Sequence, residues 1–171
     1  AIPANLTDGE WSSTTLGATT VYGENPSNLE TYGRLYNWYA VDDARGLCPS
    51  GWHVPTDGEW MTMEIALGMS EEHANDTGWR GTDQGTQMKA SPFDNPGWNG
   101  TNSFGFSGLP GGFRNFDAAY YYLGNDATWW TSSPNGSDPW MRVVVGYNDS
   151  VIRGTSGHLQ GRSVRCLKDI E

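Results

Sequence analysis

Residues 46–60 read Gly46-Leu47-Cys48-Pro49-Ser50-Gly51-Trp52-His53-Val54-Pro55-Thr56-Asp57-Gly58-Glu59-Trp60. The end of this stretch announces a helix. Thr56 and Glu59 have the Thr-x-x-Glu spacing of a capping box, in which each side chain satisfies a backbone N–H of the other. Asp57 in the first turn suits the positive end of the helix dipole. Trp60, Met63, Ile65 and Leu67 then place apolar groups largely on one face, and Gly68 ends the run. Cys48 is one of two cysteines, the other being Cys166. The two cysteines stand far apart in sequence, and no Cys-x-x-Cys pair of the redox or zinc-binding kind occurs. The residues leave two readings open: a long-range disulfide made in an oxidising compartment, or two buried thiols. As a disulfide the pair would contribute on the order of 4–5 kcal/mol in the loop-entropy model.

Towards the N-terminus, residues 32–41 are aromatic and β-prone and read as a strand running into a helical turn at 42–45. Residues 1–31 are rich in Thr, Ser and Asn and read as an N-terminal extended segment with turns, Thr19-Thr20-Val21-Tyr22 forming a short strand. Towards the C-terminus, 70–80 accommodates a helical turn and 84–90 a short helix. Pro92, Pro96, Gly97 and Gly100 punctuate a loop, and the glycines among the aromatics of 104–114 suit close approach of backbone to backbone. The last third reads as a meander of strands at 128–132, 140–145, 150–153 and 162–167. In the second of these, Trp140, Arg142 and Val144 share one face, and Met141, Val143 and Val145 the other.

Composition narrows the function classes. A length of 171 residues suits a single domain, and nine Trp, eight Tyr and five Phe can build a core with few aliphatics. Twenty acidic against ten basic residues, a net charge of −10, argues against nucleic acid and against docking on anionic lipid. No run approaches the roughly 18 apolar residues of a membrane span. Ala1-Ile2-Pro3 has neither the basic start nor the apolar stretch of a leader, as expected of an exported chain already trimmed.

The stretch Gly33-Arg34-Leu35-Tyr36-Asn37-Trp38-Tyr39-Ala40-Val41, followed by Gly46 to Trp60, resembles the Fibrobacter succinogenes major paralogous domain family. Phe106-Ser107-Gly108-Leu109-Pro110-Gly111-Gly112-Phe113-Arg114, Trp130-Thr131-Ser132-Ser133 and Arg162-Ser163-Val164-Arg165-Cys166 follow in the family's order. The motifs cover about residues 32–168. The resemblance implies an α+β, C-type-lectin-like fold of one or two helices, small antiparallel sheets and long loops, with a Cys48–Cys166 disulfide. It implies bacterial export, as a lipoprotein or surface module, and kinship with the variable proteins of diversity-generating retroelements, whose ligand surface lies towards the C-terminus.

The residues nominate no catalytic machinery. His53 lacks a neighbouring nucleophile and reads as a hydrogen-bonded structural ring, while His73 and His158 lie in polar stretches. Glu59 reads as a helix cap. A relative of the formylglycine-generating enzymes would need a reactive cysteine pair near the C-terminus, where Cys166 stands alone. The Glu-Pro-Asn and Gln-Pro-Asp triplets of calcium-dependent lectins are missing, and Trp98-Asn99-Gly100 only half-resembles their Trp-Asn-Asp. No cofactor is required, though a structural calcium stays open. The Asn-x-Ser/Thr sequons at Asn5, Asn75, Asn99, Asn135 and Asn148 are incidental in a bacterial chain.

What is left is a polar-aromatic surface. Its candidate ligand-binding residues are Tyr120, Tyr121, Tyr122, Asn125, Trp129, Trp140, Arg142, Tyr147, Asn148, Asp149 and Arg153. Tyr and Trp give rigid amphipathic contact area, and Asn, Asp and Arg give hydrogen bonds. The expectation is a secreted or cell-surface, non-catalytic module that binds a glycan or protein ligand. The alternatives are a self-assembling subunit of an extracellular fibre or surface layer, and a glycan hydrolase. The first predicts self-association and the second opposed carboxylates in a deep pocket. Oligomeric state is not legible from the residues.

Overall fold

The computed structural model describes residues 1–170. Among them the chain forms six α-helices, a 3₁₀ turn and ten short strands in an α+β arrangement. Helix α1 (Asp8–Trp11) begins at Thr7, whose hydroxyl accepts from the Glu10 N–H while Glu10 reaches back to the Thr7 backbone. Strand β1 (Thr19–Thr20) is followed by a 3₁₀ turn at Tyr22–Glu24, by α2 (Ser27–Tyr32), and by β2 (Leu35–Tyr36), which pairs antiparallel with β1. The N-terminal segment expected to be extended is therefore partly helical. It is part of the core, with Trp11 wholly buried against Ala18 and Ala118.

Helix α3 (Trp38–Val41) replaces the turn expected at 42–45. Asn37 explains the earlier start. Its buried side-chain oxygen accepts from the Ala40 N–H at 3.1 Å as an N-cap and from the Ala18 N–H at 2.8 Å. One amide thus starts a helix and fastens the N-terminal segment to it.

After β3 (Trp52–His53) comes α4 (Asp57–Ala66), capped as its sequence predicts: the Thr56 hydroxyl accepts from Glu59 N–H at 3.2 Å, and Glu59 accepts from Thr56 N–H at 2.8 Å. Gly68, at φ 98°, takes the chain out of the helix. Trp60 and Leu67 are buried, but Ile65 falls off their i, i+3, i+7 stripe and is exposed. Helices α5 (Glu71–Asn75) and α6 (Gln84–Met88) flank β4 (Gly78–Arg80).

Strands β5 (Gly111–Arg114) and β6 (Tyr120–Leu123) form a separate hairpin. Gly112 is required in it, because it has φ 63° and a Cβ there would lie 2.4 Å from the Tyr121 carbonyl oxygen. The main sheet has the antiparallel order β4-β9-β8-β7, with β7 (Asp126–Trp130), β8 (Trp140–Val145) and β9 (Val151–Thr155) forming the expected meander. The strand expected at 162–167 shrinks to β10 (Leu167–Lys168), paired with β3. Before it the chain bridges Arg162 to Tyr36 and Ser163 to Trp129, changing neighbour too often for a ladder.

The disulfide Cys48–Cys166 has an S–S distance of 2.02 Å. The core lies on both sides of the main sheet. Trp60, Leu67, Met88, Ala127, Trp129, Val144 and Val151 fill the space under α4, while Trp130 packs with Trp38, Val41 and Val54 on the other side. Among the described residues no helix is long and apolar enough to cross a membrane.

Candidate functional site

Alternation along the sheet decides which polar groups are structural. Arg142 on β8 and Arg153 on β9 are directly opposed and point towards α4. Like charges across a ladder repel. Asp57 of α4 accepts from both, from Arg142 Nη1 at 2.7 Å and from Arg153 Nη2 at 2.6 Å. Behind it Glu64 Oε1 accepts from Arg142 Nε at 2.8 Å and from Arg80 Nη2 at 2.6 Å. Burial alone would raise the Asp57 carboxyl, but Arg153 and Arg142 hold it below the ordinary carboxylate value. The second oxygen of Glu64 and Nε of Arg80 have no partner. This is an ionic core that pins α4 to the sheet.

The other face of the same strands is open at one end. Asp126 and Thr128 of β7, Val143 and Val145 of β8 and Ile152 of β9 floor a cleft of about 410 Å3. Phe113 of β5 and Tyr122 of β6 wall it, and Asn125, Tyr147 and Arg162 complete the lining. The rim turns are tied together, since Gly146 N–H donates to Asn125 O at 2.8 Å and Asn99 donates to Gly146 O at 2.6 Å.

Among the described residues, the side chains of Tyr122, Asn125, Asp126 and Tyr147 make no hydrogen bond to protein, and Nε of buried Arg162 is also unpaired. Arg162 donates through Nη2 to Ser156 Oγ at 2.9 Å and Gln160 Oε1 at 2.6 Å, and its guanidinium lies between the rings of Phe113 and Trp130 at 5.1 and 5.3 Å. Burial lowers Arg162 to about 10, offset in part by Asp126. Burial likewise raises the Asp126 carboxyl, with Arg162 opposing. The two share the cleft without closing an ion pair.

Of the candidate ligand residues, Tyr122, Asn125 and Tyr147 come together here. Tyr147 is 83% exposed at the lip. Tyr121 is exposed beside Phe113, with ring centroids 5.8 Å apart, and Tyr120 turns inward to bond Thr20 Oγ1 at 2.8 Å. The remaining candidates lie outside this cleft. Trp129 is buried under α4, because an odd position on β7 faces the helix. Arg142 and Arg153 are consumed by Asp57, and Trp140 stacks under the Arg153 guanidinium at 3.9 Å. Asp149 accepts from Thr86 Oγ1 at 2.6 Å and Asn148 from Ser150 N–H at 2.8 Å, so both brace a turn against α6.

Asp126, Thr128, Phe113 and Arg162 escaped the sequence reading. Period-two alternation through Asp126, Thr128 and Trp130 was the available signal for the first two. Arg162 lay within a motif that reads as a family signature.

His53 has the structural role expected of it. Its Nδ1 lies 2.6 Å from Asp169 Oδ1 and its Nε2 3.0 Å from Glu59 Oε1. Both partners are acceptors, so both nitrogens donate only in the protonated ring, and Asp169 first and Glu59 second raise the His53 pKa. Among the described residues no three His, Cys, Asp or Glu side chains gather as a metal site.

The family model described as Fibrobacter succinogenes major domain (Fib_succ_major) matches residues 3–168, taking in the N-terminal segment that the motifs left out. No curated protein and no solved structure matches the chain.

Proposed function

The chain belongs to the Fibrobacter succinogenes major domain family, and from that premise we propose that it is an exported, non-catalytic binding module holding a glycan in the cleft on the outer face of its sheet. One observation carries this reading. Hydroxyl, amide and carboxylate groups with unfilled hydrogen-bond capacity converge above an apolar floor of Val143, Val145 and Ile152. A sugar ring presents that same combination, with hydroxyls on its edge and C–H groups on its faces. Tyr122 and Tyr147 supply flat surfaces for the faces, and Asp126 and Asn125 supply acceptors for the edge. The disulfide is compatible with the oxidising compartment that export requires.

A glycan array probed with the intact chain tests the proposal. Binding to at least one class of glycan, persisting in EDTA, is the expected result. Tyr122→Ala, Asp126→Asn and Tyr147→Ala should each weaken it about tenfold or more with Tm unchanged. Wild-type affinity in all three variants would remove the cleft from consideration.

A further inference from the structure

A second cleft, of about 350 Å3, opens beside α4, between that helix, the 104–106 loop and the C-terminal segment. Trp60, Met63, Leu67 and Phe106 make an apolar wall, and Phe104 stands 67% exposed at the lip. Two charged groups line it, Glu59 and Arg165. Their situations differ. Glu59 accepts from the Thr56 N–H at 2.8 Å and faces His53 Nε2 at 3.0 Å, so its charge is answered.

Arg165 donates to the Phe106 carbonyl oxygen and holds its guanidinium 4.5 Å from the Phe106 ring centroid. Among the described residues no carboxylate lies within ion-pair distance of it. Burial depresses its pKa, with no acidic neighbour opposing the shift. In a chain of net charge −10, a desolvated cation left without a counter-charge in an apolar cleft is conspicuous.

We infer that this cleft is a binding site for a small amphipathic carboxylate, its apolar body seated against Trp60, Met63 and Leu67 and its head on Arg165. Charge complementarity chooses this occupant. A carboxylate gives the guanidinium a charge-assisted and even bidentate partner, whereas a neutral apolar molecule would bury the cation further and an organic cation would be repelled. The site shares no lining residue with the sheet cleft, lies on the α4 side of the sheet, and stands or falls without it.

Calorimetric titration of the intact chain with decanoate, decanol and decyltrimethylammonium tests the inference, with the Met63 methyl resonance reporting location. Decanoate should bind at least tenfold tighter than decanol, decyltrimethylammonium should be weakest, and the Met63 methyl should shift on decanoate addition. Arg165→Gln should bring decanoate down to the affinity of decanol. Because Arg165 also braces the 104–106 loop, Phe104→Ala serves as a second variant, expected to weaken decanoate and decanol alike. Decanol binding as tightly as decanoate, or a Met63 methyl that does not move at saturation, overturns the inference, and the three-ligand ranking requires no substitution at all.

Discussion

Arginine and aspartate meet on both faces of the sheet β4-β9-β8-β7, and the two faces use them in opposite ways. Towards α4, Arg142 and Arg153 share Asp57, and Glu64 takes Arg142 and Arg80. On the outer face, Asp126 and Arg162 line one cleft without pairing. Paired, buried ions rigidify and define geometry, while convergent groups with free hydrogen-bond capacity are left open to solvent or a ligand. Residue type alone did not separate the two roles, but the side of the strand does.

Asp57→Ala should show the largest effect, because it leaves Arg153 without a carboxylate in the interior and takes one of two from Arg142. A loss of roughly 3–5 kcal/mol is expected in denaturant unfolding. If that variant were as stable as wild type, the inner face would not be the structural one. Trp129→Ala comes next. It was a ligand candidate and is a core residue, so a cavity cost of about 3 kcal/mol or more is expected, with glycan affinity unchanged in the fraction that stays folded.

Asp126→Asn should do the reverse, costing affinity about tenfold and no stability. pH sharpens the contrast further. The Asp57 carboxyl is held low, so its contribution is present above its unfolded pKa and is lost as pH falls through the folded value. The Asp126 carboxyl is held high, so the folded state binds its proton more readily. Its charged form lowers stability, increasingly as pH rises through the ordinary carboxylate range towards neutral. Asp126→Asn should therefore gain on wild type as pH rises from about 3 to 7. A gain in the opposite direction would mean that Asp126 is paired in solution.

The smallest effect belongs to His53. Its raised pKa contributes stability that is complete below the unfolded value of about 6.5 and is lost as pH rises through the folded one. The site is more than a third exposed and screened, so His53→Gln should flatten a shallow slope in Tm above neutral pH rather than unfold the chain.

Legibility in the sequence followed distance along the chain. The capping box of α4 and the alternation within β8 are local, and both were readable. The Thr7-to-Glu10 box of α1 carries the identical signal and was overlooked, hidden in a polar stretch that reads as extended. Asp57 reads as a dipole-compensating residue because its actual partners lie 85 and 96 positions away. The cleft was harder still, since its lining is gathered from β5, β6, β7, β8, β9 and residue 162 by a register that no local pattern encodes. Tyr122 is legible because three consecutive tyrosines in a strand cannot all face the core, and Asn125 and Tyr147 because turn residues with large polar side chains are seldom core. Arg142 and Arg153 were misplaced because a buried cation looks, in sequence, like an exposed one.

The bridge between Cys48 and Cys166 spans 118 positions, and the main sheet, α4 and the floor of the outer cleft all lie within that span. A protease that cuts once inside it, for instance beside the exposed Phe93 or Phe104, leaves both fragments covalently joined. Such a nick is invisible on a non-reducing gel and appears only after reduction. Losing a fragment then takes two events, a cut and a reduction, instead of one, a protection that would count in the exported setting proposed above.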